Sequence, residues 1–106
     1  MNRQQQIDLF LLDAHRLAVQ RLRQCPQRAE QARALLARWR ERNGPTRSDP
    51  YRDEWARLLD AGPDAVEHVA CAENDHGAAL RSVSPLSVLI TQRERMDLLQ
   101  RARRSA

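Results

Sequence analysis

The sequence predicts an all-α fold, a compact bundle of five or six helices opened by an antiparallel helical hairpin. Three observations point there. Apolar residues recur at i, i+3, i+4 and i+7 through most of the chain, the spacing of helices that bury one stripe. Proline and glycine break that spacing often, at Cys25-Pro26, Asn43-Gly44-Pro45, Gly62-Pro63 and Ser84-Pro85, so each helix is short or moderate. No segment alternates apolar and polar residues as a half-buried strand does.

The first helix is expected over about 5–24, with Ile7, Phe10, Leu11, Ala14, Leu17, Ala18 and Leu22 inward and Arg16, Gln20 and Arg23 on the opposite face. Cys25-Pro26 ends it, because proline disfavours helix at the residue before it yet suits a helix start. A second helix then runs to about Arg42, with Ala29, Ala32, Leu35, Leu36 and Trp39 on one side. So short a link implies that these two helices lie antiparallel as a hairpin.

Asn43-Gly44-Pro45 supplies a left-handed cap and a residue that cannot continue a helix. Asp49-Pro50 then reads as an N-cap and first helical position, and Tyr51, Trp55, Leu58 and Leu59 form the inward face of a third helix. Gly62-Pro63 ends that helix, and a fourth follows from Asp64 to about Ala72 with Val66, Val69 and Ala70 inward. Asn74-Asp75-His76-Gly77 reads as a turn, Ala78-Ala79-Leu80 as a short helix, and Ser84 as the cap of a turn through Leu86, Val88 and Leu89. The last helix opens on Thr91-Gln92-Arg93-Glu94, the Thr-x-x-Glu form of a capping box, and continues through Met96, Leu98 and Leu99 to Arg101, Arg103 and Arg104.

At 106 residues the chain fits one domain, 1–106, able to bury roughly 65% of its unfolded surface. It divides into a basic hairpin (5–42), an acidic helical middle (50–90) and a basic C-terminal helix (91–104). All 18 cationic side chains are arginine. Residues 1–47 carry a net charge of +6, residues 48–90 one of −5, and residues 91–106 one of +3. Three arrangements follow: the acidic middle folds against the basic ends, each face is merely solvated, or the blocks offer separate patches to an acidic and a basic partner surface.

Composition narrows the functional classes. A mean hydropathy of −0.73 and the lack of any apolar run near the roughly 20 residues of a spanning helix argue against a membrane protein. Met1-Asn2-Arg3-Gln4-Gln5-Gln6 has no apolar signal-like stretch, so the expected location is cytoplasmic, with Cys25 and Cys71 as reduced thiols. Without lysine there is neither Schiff-base chemistry nor a phosphate-loop lysine, and the scattered glycines make no phosphate-binding loop. His68, Cys71 and His76 form H-x2-C-x4-H beside Glu67, Glu73 and Asp75, but structural zinc prefers four Cys and His ligands, so neither a metal nor another cofactor is expected. Cys25 has no base near it in sequence, as nucleophilic catalysis requires, and Asp53 and Glu54 suit a helix N-terminus. The expectation is a binding protein, not an enzyme.

Nucleic acid is one candidate partner, through the arginine-rich C-terminal helix, given a pI near 10.4. Against it, Phe10, Trp39, Tyr51 and Trp55 all fall on apolar faces, leaving no stacking platform. Protein is the other. The stretch from Leu80 to Ile90 is the least polar in the chain; it forms either the floor of the core or an apolar contact centre rimmed by Arg81, Arg93 and Arg95.

Several short motifs occur in a suggestive order: His15-Arg16-Leu17-Ala18, Leu36-Ala37-Arg38-Trp39, Pro50-Tyr51 before Trp55, then Leu80-Arg81-Ser82-Val83-Ser84-Pro85-Leu86 and Glu94-Arg95. From about residue 15 to 100 this resembles small bacterial helical antitoxin-like proteins encoded beside nucleotidyltransferase-like or other toxins, whose late motif runs L-R-x-x-S-P-F and then E-R-W. The chain departs from that pattern with Leu86 for phenylalanine, Val88 for glycine and Met96 for tryptophan. The resemblance implies a protein that neutralises a cognate toxin by direct binding. The expected contact residues are Asp53 and Glu54 in the acidic middle (with Asp49, Asp60, Asp64 and Glu67 nearby) and Arg81, Ser84, Pro85, Leu86, Leu89, Arg93, Glu94 and Arg95 in the late segment.

Overall fold

A computed structural model describes residues 2–104. The chain forms α1 (Arg3–Gln24), a 3-10 turn (Pro26–Arg28), α2 (Ala29–Asn43), α3 (Asp49–Ala61), α4 (Pro63–Ala70), α5 (Asp75–Ser82), a second 3-10 turn (Leu86–Leu89) and α6 (Gln92–Arg104). It is an all-α bundle of six helices, as the hydrophobic spacing predicts, with no strand among the described residues.

Local chemistry sets the helix ends. Asn2 accepts from the amide of Gln5 at 2.8 Å while the Gln5 side chain accepts from the amide of Asn2 at 2.9 Å, a reciprocal cap on α1. The predicted box at the last helix forms too: Glu94 N–H donates to Thr91 Oγ1 at 3.1 Å, and Thr91 N–H to Glu94 Oε1 at 2.8 Å. Gly44 (φ 62°) stops α2 and Gly62 (φ 115°) stops α3, each with backbone that a side chain would strain. The four-residue stretch Asn74–Gly77 is more than a turn. Asn74 accepts from Gly77 N–H at 2.7 Å and so caps α5, which begins at Asp75 instead of Ala78.

The main core gathers around Trp55, fully buried, with Ala18, Val19 and Leu22 of α1, Ala29 and Ala32 of α2, Val66 and Ala70 of α4, and Leu80, Leu86 and Leu89. The indole N–H of Trp55 donates to the carbonyl of Leu80 at 2.9 Å, so its polar atom is satisfied inside. A second cluster, Phe10, Ala14, Leu98 and Ala102, joins α1 to α6.

The first two helices, joined by the short 3-10 turn at Pro26, share the main core through Ala18, Val19 and Leu22 of α1 and Ala29 and Ala32 of α2. Their most extensive packing is with other elements: α1 packs chiefly on α6 and α4, with α5 and the second 3-10 turn, whereas α2 packs on α3 and that same turn. Because α1 is surrounded, it buries more than one stripe. Leu12, His15 and Val19 join the expected residues, and Leu11 and Leu17 are half-buried. Ile7 is 39% exposed, since the packed part of α1 begins near Leu9. Met96, on α6, is also exposed.

The three charge blocks meet across helices. Arg23 of α1 pairs with Asp64 and Glu67 of α4, Arg33 of α2 with Asp60 of α3, Arg40 of α2 with Asp53 of α3, and Arg21 of α1 with Glu94 of α6. Four arginines of the N-terminal block are thus paired within the chain, three with acids of the middle block and Arg21 with Glu94 of the last helix. No helix among the described residues is long and apolar enough to cross a membrane.

Candidate functional site

Four of the expected contact residues, Arg81, Ser84, Leu86 and Arg95, line one cleft of about 220 Å³. Its apolar walls come from Phe10, Leu11 and Ala14 of α1 together with Leu86 and Ile90. Its polar groups are His15, Arg81, Arg95 and the serines 82, 84 and 87. None of these lining side chains is acidic, so the two guanidinium groups leave the cleft positive.

The elements explain the composition. Ser84-Pro85 turns the chain out of α5, and the hydroxyl of Ser84 accepts from Leu86 N–H at 3.0 Å, which nucleates the 3-10 turn. That turn buries Pro85, Leu86 and Leu89 in the core and leaves Ser87 exposed. Arg95 of α6 is exposed, with its guanidinium carbon 5.3 Å from the centre of the Phe10 ring, a cation–π contact that holds it over the cleft wall.

His15 is the residue that sequence reasoning missed. It is 5% exposed, its ring centre lies 5.9 Å from that of Trp55, and its Nδ1 lies 2.7 Å from the carbonyl of Leu11. A carbonyl only accepts, so Nδ1 carries the proton and Nε2 is a lone pair. That Nε2 is buried with no hydrogen-bond partner. Burial pushes the His15 pKa down to about 4, opposed by the Leu11 hydrogen bond and assisted by the charge of Arg81, so the ring is neutral at pH 7. The signal was present in the sequence: 15 falls within the 11, 14, 15, 18, 22 spacing of the buried face.

The remaining expected contacts lie elsewhere or are committed inside. Arg81 is 6% exposed, and its Nη1 donates to the carbonyls of Ala70 and Ala72, both at 2.8 Å. It is therefore a buried strut that closes the end of α4, not the exposed rim expected from sequence. Leu86 and Leu89 are 2% and 0% exposed. They are the floor of the core and not an open contact centre, because the 3-10 turn points them against Trp55 and its neighbours. Pro85 is buried with them. Asp53 pairs with Arg40, Glu54 accepts from His76 Nε2 at 2.8 Å, and neither lines the cleft. Glu94 is bonded to Arg21 and Thr91, which hold its carboxyl down at about 2. Arg93 is exposed on the first turn of α6.

No group of three or more His, Cys, Asp and Glu side chains converges to hold an ion among the described residues. In the H-x2-C-x4-H trio His68 is exposed, His76 is held by Glu54, and burial pushes the half-buried Cys71 thiol up. Both cysteines are free. No family model, curated protein or solved structure matches the chain.

Proposed function

We propose that the chain is a non-catalytic protein-binding module, an antitoxin-like protein that neutralises a cognate toxin by direct contact anchored at the cleft between α1, the second 3-10 turn and α6. The observation that carries this reading is the cleft itself. At about 220 Å³ it falls below the roughly 300–1,000 Å³ of pockets that enclose whole small ligands, and it suits one side chain of a larger partner. Apolar walls, a cationic mouth and a few hydroxyls match the anatomy of an interface anchor site. The resemblance of the Leu80–Leu86 and Glu94-Arg95 motifs supports the antitoxin-like form of the reading, and five of the motif residues, Arg81, Ser82, Ser84, Leu86 and Arg95, border the cleft.

The test is growth. Inducing the product of the adjacent gene alone is expected to arrest cells, and co-producing this chain is expected to relieve the arrest. A harmless neighbour, or an arrest that persists, contradicts the reading.

A second reading, a small nucleic-acid-binding regulator, rests on the exposed Arg93, Arg103 and Arg104 of α6. It predicts retention on duplex DNA or RNA at low salt that falls steeply as salt rises. No retention at low salt contradicts it.

A further inference from the structure

We infer that the cleft takes an apolar side chain of the partner protein while an adjoining aspartate or glutamate of the same segment seats on Arg95; this rests on the protein-binding reading and names the chemistry of its anchor. Three observations select that segment.

The first is an unused cation at the mouth. Arg21, Arg23, Arg33 and Arg40 each meet a carboxylate of this chain. Arg95 does not. It is exposed, its guanidinium carbon lies 5.3 Å from the centre of the Phe10 ring, and no hydrogen bond or ion pair engages it among the described residues. The ring holds the guanidinium in one place while its N–H donors lack an acceptor, the state that suits a carboxylate arriving from a partner.

The second is that the other reachable groups are also donors. Ser87 is exposed, and its hydroxyl has no partner among the described residues. Ser84 Oγ accepts from Leu86 N–H and keeps its own proton to give. No acidic side chain lines the cleft, so its mouth lacks an acceptor, and an ionised carboxylate only accepts. The occupant bonds neither to Arg81 Nη1, which the Ala70 and Ala72 carbonyls hold, nor to the enclosed Nε2 of His15. Arg81 contributes its charge alone.

The third is the wall. Phe10, Leu11, Ala14, Leu86 and Ile90 enclose about 220 Å³, room for one apolar side chain. These walls discriminate among anions. A phosphate, or the backbone of a nucleic acid, is bound by several cations and donors and meets here one free guanidinium on an apolar lining. An apolar residue beside an acidic one fills the wall with one side chain and meets Arg95 with the other.

The experiment uses the full chain and two soluble peptides, N-acetyl-Glu-Leu-Glu-amide and its uncharged counterpart N-acetyl-Gln-Leu-Gln-amide. Each is titrated to millimolar concentration at low salt, with NMR of the Arg95 Nε–H and of the Leu11 and Ile90 methyl groups. The acidic peptide is expected to bind about fivefold tighter, the upper end for an exposed ion pair, and to shift all three signals. In Arg95→Gln the two peptides are expected to bind alike. Equal binding to the wild type, no binding, or inorganic phosphate that shifts the Arg95 signal at a lower concentration than the acidic peptide overturns the inference. Ser87→Trp provides a second measurement. Ser87 is exposed at the cleft, so the larger side chain covers the site without entering the core, and the variant is expected to lose the acidic peptide. Toxin neutralisation that is undiminished in both Arg95→Gln and Ser87→Trp overturns this anchor and leaves protein binding intact. A cleft that selects the acidic peptide in a chain that neutralises nothing keeps the anchor and overturns the antitoxin reading.

Discussion

Nη1 of Arg81 donates to the carbonyl of Ala70 at 2.8 Å, and the same nitrogen reaches Ala72 at 2.8 Å, so one buried cation closes the last turn of α4 from the far end of α5. A helix C-terminus exposes unpaired carbonyls that carry partial negative charge. Here a guanidinium meets them where water is largely excluded.

Arg81→Ala is expected to destabilise the chain by about 2–4 kcal/mol, because it strips buried carbonyls of a charged donor and opens space beside the cleft. Arg81→Lys should recover part of that, as an ammonium supplies donors without the planar fork. Urea unfolding monitored through Trp55 measures both; an Arg81→Ala loss below about 0.5 kcal/mol would show the strut to be dispensable.

Gly77 admits that close approach. A Cβ built there would lie 2.3 Å from the Ala72 carbonyl oxygen, a backbone atom that cannot swing aside, and 3.0 Å from Arg81 Nη1. Gly77→Ala ordinarily gains about 1 kcal/mol inside a helix. In this chain the clash should reverse the sign and cost about 2 kcal/mol or more. A stabilised variant in thermal unfolding would contradict the packing of α5 on the end of α4.

His15 makes stability depend on acid in a defined window. Its folded pKa of about 4 lies below the ordinary 6.5, so the unfolded chain binds the proton more readily than the folded one between those values. The contribution is fully present above pH 6.5, declines as pH falls toward 4, and levels off below that, with a total of about 3 kcal/mol. His15→Gln should flatten the stability profile between pH 6.5 and 4. An unchanged slope would mean that this imidazole is not held neutral.

Glu94 titrates lower still. The Arg21 guanidinium and the Thr91 cap hold its carboxyl at about 2, against an ordinary 4.5, so its stabilising contacts persist above 4.5 and are lost as pH falls through 2. In Arg21→Gln the Glu94 carboxyl should return toward 4.5 in an NMR titration. A carboxyl that stays near 2 would place the cause in the Thr91 cap alone.

Helix ends were legible in the sequence because their causes are local. Asn43-Gly44-Pro45, Gly62-Pro63 and Thr91-x-x-Glu94 each contain the residue whose backbone or side chain performs the capping. The start of α5 was obscured because asparagine both forms turns and caps helices, and a glycine at 77 weakens the helical pattern. The distant partners of α1 were not legible. A short link brings α2 near it, but nothing in the spacing of its stripe names α6 or α4, which only the assembled chain supplies. The cleft was half legible: the Leu80–Ile90 run is the least polar in the chain, but which of its side chains face inward depends on a 3-10 turn that buries Leu86 and Leu89 and exposes Ser87. His15 stood on a helical face and opened one of the short motifs, but neither marked it as a cleft residue.

Co-purification of the adjacent gene's product with this chain, run in parallel for the wild type, Ser87→Trp and Arg95→Glu, tests the binding cleft most directly. The account predicts a stable complex with the wild type, a complex lost in Ser87→Trp, and one weakened at least tenfold in Arg95→Glu, about 1.4 kcal/mol. A complex of equal strength with all three chains would place the contact elsewhere on the molecule and contradict the account.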